Sequence, residues 1–557
     1  MIKCILRAAL AALTLSCLPV SALAQSDQSE RLSSIRAVAE AAYGGHEPGG
    51  AILVMQGGET LIAQGFGMAD LEWQVPVGAD TSFRVGSLSK MFTAVAVLRL
   101  VEAGKVDLDR PISTYLPNLP NLAEVLGRPT VRQLLNHTSG LPDHFGLPVV
   151  PSIMRNPIAP AGIVSLMAAA ESDFEPGSRW SYSNFNYVLL GLLIEAVDDR
   201  GRDYDSYIEE EVFAPIGMVN SHFDRQSKII PRRARGYDHD GTGPINTITA
   251  ETSFAYASGA LMSSAEDLAR FTNALRDHRL LGAGIQDQAW TAAALTGGGT
   301  TGYGLGFNVS PFMGEAAIWH NGSINGFQAT WIHLPESDRT VAVLSNGYYR
   351  PNTTTSARRV LALLAGEPVP DFTPTETPDE PWAEFAGRYR LENGQLLQIH
   401  VQDGVRYNLD GGSWIDLSWS GGDLFFEPDT LLHLRLHPAR EGALASLSYV
   451  SRTLTRSQGV RLDGNVEGAE VALPMDAAEA ARIAGNWAID SGDLFVVAFD
   501  GDKLTLRLPG QPPQQLHRSA PGRYFVRGTP ISFSVGPEAQ SSEVNLYGNI
   551  LQLRRQS

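Results

Sequence analysis

Two residues with complementary chemistry, Ser87 and Lys90, stand three positions apart in residues 83–104, FRVGSLSKMFTAVAVLRLVEAG. A serine hydroxyl becomes a strong nucleophile when a neighbouring base takes its proton. A lysine amine can serve as that base when apolar surroundings remove its hydration and lower its pKa. The pair therefore predicts acyl transfer, with Ser87 as the nucleophile and Lys90 as its base.

The element that must position this pair is a helix. Apolar residues recur at steps of three and four from Leu88 to Val101, a stretch without glycine or proline, and this spacing is typical of one helical face. Residues three apart on a helix are neighbours, and a hydroxyl at the N-terminus lies at the positive end of the helix dipole. Because a serine three residues before a lysine is common by chance, the chemistry needs partners elsewhere in the chain.

Two later motifs supply candidate partners, Tyr182-Ser183-Asn184 and His320-Asn321-Gly322. A tyrosine can share the proton of Ser87, and Asn184 can hold the amide of a substrate. Gly322 leaves room for a substrate to lie along a strand. Taken singly, Tyr182 could equally fill the core of a loop, and His320 could equally be a surface residue of a turn.

The chain of 557 residues is 43% hydrophobic and 18% charged, which is typical of a globular protein with several domains. Up to residue 367 predicted helices and strands are segregated, which favours an α+β fold. Residues 368–382 are rich in proline, threonine and acids and are predicted to be a linker. Beyond them, short strands recur in two similar blocks, in which Gly387-Arg388-Tyr389 matches Gly485-Asn486-Trp487. These blocks predict two antiparallel β-barrel domains, at 383–470 and 473–557.

The first residues resemble a signal peptide, residues 1–24. Lys3 and Arg7 precede an apolar run, and Ala22-Leu23-Ala24 is a cleavage signal. We therefore expect a periplasmic or secreted protein without an integral membrane segment after cleavage, since no later apolar run approaches the length of a membrane helix. Cys4 and Cys17 both precede the cleavage point, and lipid attachment at Cys17 is the alternative.

Several other classes of protein are disfavoured. The net charge of −17 argues against a nucleic-acid partner, because no basic surface would neutralise phosphates. His239 stands among acids without a second histidine at ligand spacing, so no metal is expected there. The chain also lacks the G-x-S-x-G motif of α/β-hydrolases.

Together these motifs resemble the serine β-lactamase and penicillin-binding-protein family, whose pattern is SxxK, then YxN, then K-T-G or H-x-G. The segments HTSGLPDH (137–144) and EPGSRWSYSN (175–184) are also similar to that family. The resemblance covers residues 30–367 and implies a β-lactamase/transpeptidase-like domain, an antiparallel sheet with a helical subdomain.

The resemblance also implies a role for each matched residue. Ser87 would be acylated, Lys90 would take its proton, and Tyr182 would be a partner base and later the acid for the leaving group. His320 would help to orient the substrate. The oxyanion hole would be formed by the backbone N–H groups of Ser87 and Ser323. The reaction would be acyl transfer to water through an acyl-enzyme, with no metal or organic cofactor.

His320 stands where most of the family has a lysine, and a histidine is mostly neutral at pH 7. The H-x-G variant followed by two barrels resembles the D-aminopeptidases of this fold, which release an N-terminal D-amino acid from peptides and amides. In those enzymes a loop of the last barrel enters the active site with an acidic group that reads the substrate amine. The matching loop here, residues 508–518, contains no acid.

We therefore expect a D-aminopeptidase or D-amino-acid amidase whose partner is a small peptide, amide or ester substrate. A β-lactamase-like esterase of broad specificity and a non-hydrolytic protein that binds peptidoglycan fragments are the alternatives.

Overall fold

The computed structural model describes residues 20–555 except 120–121, 123, 249, 371, 373, 376–381, 402–403, 438–445, 463–476, 489–493, 501–502, 509–512, 521–522, 527–530, 536–540 and 547–548. The chain divides into two compact units, Met1–Val369 and Pro370–Ser557. The predicted fold class is confirmed: a mixed helix and sheet unit is followed by antiparallel β-barrels.

The first unit contains thirteen described strands and eleven described α-helices. The strands are β1 Gly50–Gln56, β2 Glu59–Phe66, β3 Met68–Asp70, β4 Val75–Pro76, β5 Phe83–Arg84, β6 His222–Phe223, β7 Tyr237–His239, β8 Pro244–Asn246, β9 Leu261–Ser263, β10 Asn308–Phe312, β11 Glu315–Ile324, β12 Phe327–Leu334 and β13 Arg339–Ser345. The α-helices are α1 Val20–Tyr43, α2 Ser89–Glu102, α3 Glu124–Gly127, α4 Val131–Leu135, α5 Val150–Ile153, α6 Pro160–Leu166, α7 Asn184–Val197, α8 Tyr204–Ile208, α9 Ala265–Arg276, α10 Ala283–Ala289 and α11 Thr353–Ala365. Tighter turns include the 3₁₀ helices Gly86–Leu88, His144–Gly146, Thr252–Phe254 and Tyr256–Ser258.

The main sheet is antiparallel, in the order β10-β11-β12-β13-β1-β2. Both of its faces are covered, which explains why β1 is a continuous apolar run. Ala51, Leu53 and Met55 join the core that contains α2 and α9. The residues between them point to the opposite face, where α11 packs on β12 and β13 and against α1.

Helix α2 is almost completely surrounded by protein, with eleven of its fourteen residues buried. Phe92 lies 4.7 Å from Phe271 of α9, and Phe271 contacts Trp331 of β12, measured between ring centroids. Helix α2 also packs on α7 and on the turn Tyr256–Ser258. The helix that carries the predicted base is therefore held by the whole core of the first unit.

Only the end of the predicted signal peptide lies within the described residues, where 20–24 form the first turns of α1. Cys4 and Cys17 lie outside them, and cleavage after Ala24 stays a prediction. Among the described residues, no helix combines the length and the apolar character needed to cross a membrane.

The second unit contains two closed antiparallel barrels of eight strands each. The first follows the 3₁₀ helix Trp382–Phe385 and comprises β14 Gly387–Leu391, β15 Leu396–Val401, β16 Val405–Leu409, β17 Ile415–Trp419, β18 Leu424–Phe426, β19 His433–His437, β20 Ser446–Val450 and β21 Arg456–Arg461. The second follows helix α12 Ala477–Ile483 and comprises β22 Gly485–Ala488, β23 Leu494–Phe499, β24 Leu504–Arg507, β25 Gln514–Ala520, β26 Arg523–Val526, β27 Ile531–Val535, β28 Ser541–Leu546 and β29 Asn549–Arg555.

The two barrels share one hydrogen-bonded arrangement at the start of their first strand. Tyr389 donates its hydroxyl hydrogen to the carbonyl of Phe385 (2.9 Å), and Trp487 donates its indole N–H to the carbonyl of Ile483 (3.1 Å). In each barrel the aromatic side chain is buried and ties the first strand to the helical turn four residues earlier. The match between the two sequence blocks therefore corresponds to a shared structural role.

The prediction of a loop at 508–518 was partly wrong. Residues 509–512 lie outside the described part of the chain, but Gln514–Arg518 belong to strand β25. Leu516 alternates into the barrel core, and Arg518 donates a hydrogen bond to Glu479 of α12 at 2.8 Å. The alternation of inward and outward side chains marks this segment as a strand.

Candidate active site

The nucleophile candidate lies on the tight turn before α2 instead of in its first α-helical turn. Gly86 has φ = 51°, a left-handed conformation that favours glycine. This conformation turns the chain from β5 into the 3₁₀ helix Gly86–Leu88. Ser87 is half-buried at the wall of a cavity, whereas Lys90 is fully buried beneath it.

The side chain of Lys90 has three polar neighbours. Its Nζ lies 3.2 Å from Ser87 Oγ, 2.7 Å from Asn184 Oδ1 and 2.8 Å from the Ser258 carbonyl oxygen. The two carbonyl oxygens can only accept hydrogen bonds. A neutral amine that donates to both of them directs its lone pair at the Ser87 hydroxyl, which is the geometry of a general base.

The environment of Lys90 also favours the neutral amine. Burial lowers its pKa from the usual 10.5 to about 7, against the opposing effect of the Asp143 carboxylate. A base with a pKa near the working pH is partly unprotonated and still accepts a proton readily. The geometry and the pKa of Lys90 are both compatible with a neutral amine, and its role as the base stays a prediction.

Tyr182 contacts both members of the pair. Its hydroxyl is hydrogen-bonded to Ser87, and its ring centroid lies 4.8 Å from Lys90 Nζ. Burial raises the pKa of Tyr182 well above its usual range, and the hydrogen bond to Ser87 opposes this only in part. Tyr182 therefore keeps its proton at neutral pH, which favours the proton-donor part of its expected role.

Asn184, the first residue of α7, is held between Lys90 and an acid. Its Oδ1 accepts from Lys90, and its Nδ2 donates to Asp143 Oδ2 at 2.8 Å. Asp143 Oδ1 also accepts from the backbone N–H of Asn184 (3.3 Å). The sequence predicted that Asn184 holds a substrate amide, whereas here its side chain orients the base.

His320 is brought to the same site, but both of its ring nitrogens are already hydrogen-bonded. Nδ1 lies 2.6 Å from the Asn321 carbonyl oxygen, so Nδ1 carries the hydrogen. Nε2 lies 2.8 Å from the Tyr303 hydroxyl and therefore accepts from it. Burial, with a smaller effect from the charge of Lys90, lowers the pKa of His320 to about 3. His320 is thus a neutral residue that holds strand β11 in place.

Gly322, the last residue of the His320-Asn321-Gly322 motif, lies in close contact with the backbone before the nucleophile. A Cβ atom on Gly322 would lie 1.9 Å from the Val85 carbonyl oxygen and 2.8 Å from the Ser87 nitrogen. A Cβ on Gly86 would lie 2.7 Å from the nitrogen of Ser323. The sequence predicted that Gly322 gives room to a substrate, but the close neighbour is the segment before the nucleophile.

This close packing brings the two predicted oxyanion donors together. Strand β10 pairs with β11 only as far as Trp319, so residues 320–324 form a free edge beyond it. Ser323, on that edge, and Ser87 both line the same cavity. The fold thus brings both residues to one cavity, and the role of their backbone N–H groups as oxyanion donors stays a prediction.

A cavity of about 200 Å³ opens beside Ser87. Most of its wall is apolar, and its polar lining includes the Ser87, Asn184 and Ser258 residues described above. Within the part of the chain that the structure describes, no three His, Cys, Asp or Glu side chains are grouped as a metal ion would require. The chemistry that the site can perform with its own residues is nucleophilic attack on a carbonyl.

Four residues of the site gave no signal in the sequence analysis. Tyr303 holds His320, Asp143 holds Asn184, and the Ser258 carbonyl binds Lys90. His137, with φ = 60°, stacks on Tyr182 at 4.4 Å between ring centroids. His137 and Asp143 lie in the segment HTSGLPDH, so its similarity to known sequences was the one available indication.

Comparisons with known proteins agree with this geometry. Residues 35–366 match the family model described as Beta-lactamase. The chain is 27% identical over 387 residues to penicillin-binding protein 4* of Bacillus subtilis (strain 168), which covers 64% of this chain and 83% of that protein.

Two solved structures are similar to this chain, each with a TM-score of 0.51. The D-amino acid amidase from Ochrobactrum anthropi SV3, in complex with D-phenylalanine, is 27% identical, with 61% of this chain and 99% of that chain covered. A D-stereospecific amidohydrolase from Streptomyces sp. is 26% identical, with 60% of this chain and 99% of that chain covered.

Proposed function

The chain belongs to the Beta-lactamase family, and we propose that it is an exported D-amino-acid amidase or D-aminopeptidase that works through an acyl-enzyme at Ser87. The observation that carries the acyl-enzyme is the position of Lys90. Its amine lies 3.2 Å from Ser87 Oγ and within hydrogen-bond distance of two carbonyl oxygens, so a neutral amine that donates to both oxygens would direct its lone pair at the Ser87 hydroxyl.

The first half of the reaction forms the acyl-enzyme. Ser87 Oγ attacks the substrate carbonyl carbon as its proton moves to Lys90. The resulting oxyanion receives hydrogen bonds from the backbone N–H groups of Ser87 and Ser323. The C–N bond then breaks, and the leaving amine takes a proton from Tyr182, which Lys90 reprotonates through the shared hydrogen-bond network.

The second half returns the enzyme to its starting state. Water attacks the Ser87 ester and gives a proton to Lys90, now neutral again. The ester C–O bond breaks, the acid leaves, and the proton returns to Ser87 Oγ. No step requires a group that the described residues do not supply.

Two observations support an amide of an amino acid as the substrate. His320 is neutral and already hydrogen-bonded on both nitrogens, so it offers no cation to a substrate carboxylate. The similar structures are a D-amino acid amidase from Ochrobactrum anthropi and a D-stereospecific amidohydrolase from Streptomyces sp.. Both observations favour substrates that present an amine or no charge.

The direct test compares D- and L-alanine p-nitroanilides, with Ser87→Ala as the control for background hydrolysis. We expect release of p-nitroaniline from the D-isomer, a clear preference over the L-isomer, and no release by Ser87→Ala. Rapid hydrolysis of short nitrophenyl esters without a D-preference would overturn the amidase proposal and favour the broad esterase. Failure of a fluorophosphonate probe to label Ser87 would favour the non-hydrolytic binder.

A further inference from the structure

One ionisable residue, Glu251, lines the cavity beside Ser87. Among the described residues of this wall, the remaining side chains are uncharged, and the apolar ones include Phe145, Met154, Phe254 and Ile324. A cavity of about 200 Å³ is roughly 7 Å across if it is close to spherical. Ser87 and Glu251 both line this cavity, so a group bound through its carbonyl at Ser87 shares the cavity with Glu251.

The backbone of Glu251 is fixed while its carboxylate is left unused. Its N–H donates to the Met154 carbonyl at 2.8 Å, and its carbonyl accepts from the N–H of Phe254 at 3.2 Å. Glu251 stands at the N-terminus of the 3₁₀ helix Thr252–Phe254, yet its side chain does not cap that helix. Within the described part of the chain, no ion pair or side-chain hydrogen bond engages Glu251.

The other acid of the site is already occupied. Asp143 accepts hydrogen bonds from the backbone and side chain of Asn184, and its charge acts on Lys90. Lys90 is buried, and His320 is neutral. Among the described residues that line the cavity, Glu251 therefore supplies the one acidic side chain, beside walls that are mostly apolar.

We propose that Glu251 binds the free ammonium group of the residue whose carbonyl Ser87 attacks, while the apolar wall holds that residue's side chain. This inference rests on the acyl-enzyme function proposed above and names its substrate class as residues with a free amino terminus. Glu251 would also supply the acid that binds the substrate amine, which segment 508–518 cannot supply because it contains no acid.

The expected size of the effect follows from the charge. A hydrogen bond to a charged group contributes enough that its loss lowers binding or kcat/KM roughly 10- to 100-fold. Because the interaction needs the ammonium form, the preference for a free amine should also fall as pH rises above the pKa of the substrate amine. For an analogue without the amine, kcat/KM should change neither when Glu251 loses its charge nor through titration of a substrate amine.

The kinetic test uses two 4-nitrophenyl esters that differ only in the amine, those of D-phenylalanine and of 3-phenylpropionic acid. We expect Glu251→Gln to lower kcat/KM for the D-phenylalanine ester by roughly 10- to 100-fold and to leave the other ester within about twofold. Glu336→Gln, on the exposed turn between β12 and β13, is the matched control and should change neither. An equal loss on both esters, or no loss on either, would overturn the inference.

A binding measurement separates this inference from the proposed function. In the Ser87→Ala background, which cannot turn over substrate, calorimetry compares D-phenylalaninamide with 3-phenylpropanamide. We expect tighter binding of the amine-bearing ligand, lost in Ser87→Ala/Glu251→Gln. Equal binding of the two ligands would overturn the role of Glu251 even if Ser87 forms an acyl-enzyme, whereas absence of esterase activity in the wild type would overturn the function.

Discussion

The buried amine of Lys90 is the residue-scale feature on which the chemistry depends. It has no carboxylate in direct hydrogen-bond contact within the described residues, and its three neighbours are a hydroxyl and two carbonyl oxygens. A charged ammonium in this place loses hydration without gaining a close counter-ion, which lowers its pKa. The same arrangement that activates Ser87 should therefore be visible in the pH dependence of both activity and stability.

The pH profile of activity should report Lys90. Since the neutral amine is the active form, kcat/KM should rise as pH increases through about 7. Asp143→Asn removes a negative charge that raises the pKa of Lys90, so the acidic limb should move to lower pH. The measurement uses the 3-phenylpropionate ester, which has no titrating amine. A limb that stays in place or moves to higher pH would contradict this assignment.

Lys90 should also lower the stability of the fold at neutral pH. Its pKa is lower in the folded state (about 7) than in the unfolded state (10.5), so the unfolded state binds more protons between these values and stability rises with pH there. Lys90→Met should lower esterase activity roughly 10²–10⁴-fold and stabilise the first unit at pH 7, by an amount on the order of the 1–4 kcal/mol seen when buried ion pairs are replaced by apolar residues.

Denaturant unfolding of the wild type and of Lys90→Met at pH 7 and pH 10 checks this expectation. The advantage of the variant should shrink toward pH 10, because the folded-state amine is neutral there while the unfolded state begins to lose its proton as pH approaches 10.5. A variant less stable than the wild type at pH 7, or an advantage that grows with pH, would show that Lys90 is not a strained buried base.

At the scale of elements, the turn Tyr256–Ser258 presents a carbonyl to the base. Tyr256 has φ = 44°, a conformation that a non-glycine residue adopts only when its surroundings enforce it. Thr93 of α2 donates to the Ala257 carbonyl at 2.7 Å, and the Tyr256 hydroxyl donates to Glu195 of α7 at 2.5 Å. The turn is thus tied to both helices that carry the site.

Removal of one of these ties should lower turnover. Tyr256→Phe keeps the ring but loses the hydrogen bond to Glu195, so the Ser258 carbonyl should shift relative to Lys90. We expect kcat to fall roughly tenfold, equal to about 1.4 kcal/mol in the activation free energy, with little change in KM. Tyr207→Phe, a buried tyrosine without a hydroxyl hydrogen bond in the described structure, is the control. A change in KM alone would argue against a positioning role.

The contact between β11 and the turn before α2 is the second element-scale test. Gly322→Ala places a Cβ 1.9 Å from the Val85 carbonyl, so the strand must move away from Ser87. Loss of one oxyanion donor costs roughly 10²–10³ in kcat, and we expect a fall of that size. Gly284→Ala, where a Cβ meets open space, should retain full activity. Wild-type turnover by Gly322→Ala would contradict the oxyanion assignment.

The site residues that could be predicted are those whose neighbours in the sequence indicate their role. Ser87, Lys90, Tyr182 and His320 belong to short sequence motifs, and the fold brings all four together. The role of Ser258 belongs to a backbone carbonyl, which any residue type supplies. Tyr303 lies in a glycine-rich segment without periodicity, so nothing in its surroundings indicated that it would contact His320.

The secondary-structure elements, like the site residues, could be predicted where the signal is local in the sequence. The turn at Gly57–Gly58 and the strands on each side of it are local signals, and the structure has them as β1 and β2. Segment 508–518 was predicted as a loop by its match to a loop of the D-aminopeptidases, but the alternation that places Leu516 in the barrel core determined the structure of its second half. Closure of a barrel depends on pairing between distant strands, which composition does not reveal.

At the scale of the whole molecule, export should remove the N-terminus without disturbing the fold. Among the residues of α1 whose side chains the structure describes, the buried ones are Ile35, Ala39 and Tyr43, and all three follow the predicted cleavage point after Ala24. Intact-mass analysis of the protein from the periplasm or medium should therefore show a chain that starts at Gln25, with the melting temperature of the uncleaved form. A retained N-terminus or a lipid on Cys17 would contradict this expectation.

The central claim is that Ser87 carries the acyl group of an amino acid during turnover. Acid quenching of the enzyme with the 4-nitrophenyl ester of D-phenylalanine, followed by peptide mass spectrometry, measures this directly. We expect the mass of one phenylalanyl group on the peptide that contains Ser87, absent in Ser87→Ala and much weaker with the L-isomer. Turnover of the ester with no adduct at Ser87, or with an adduct on another residue, would contradict the account.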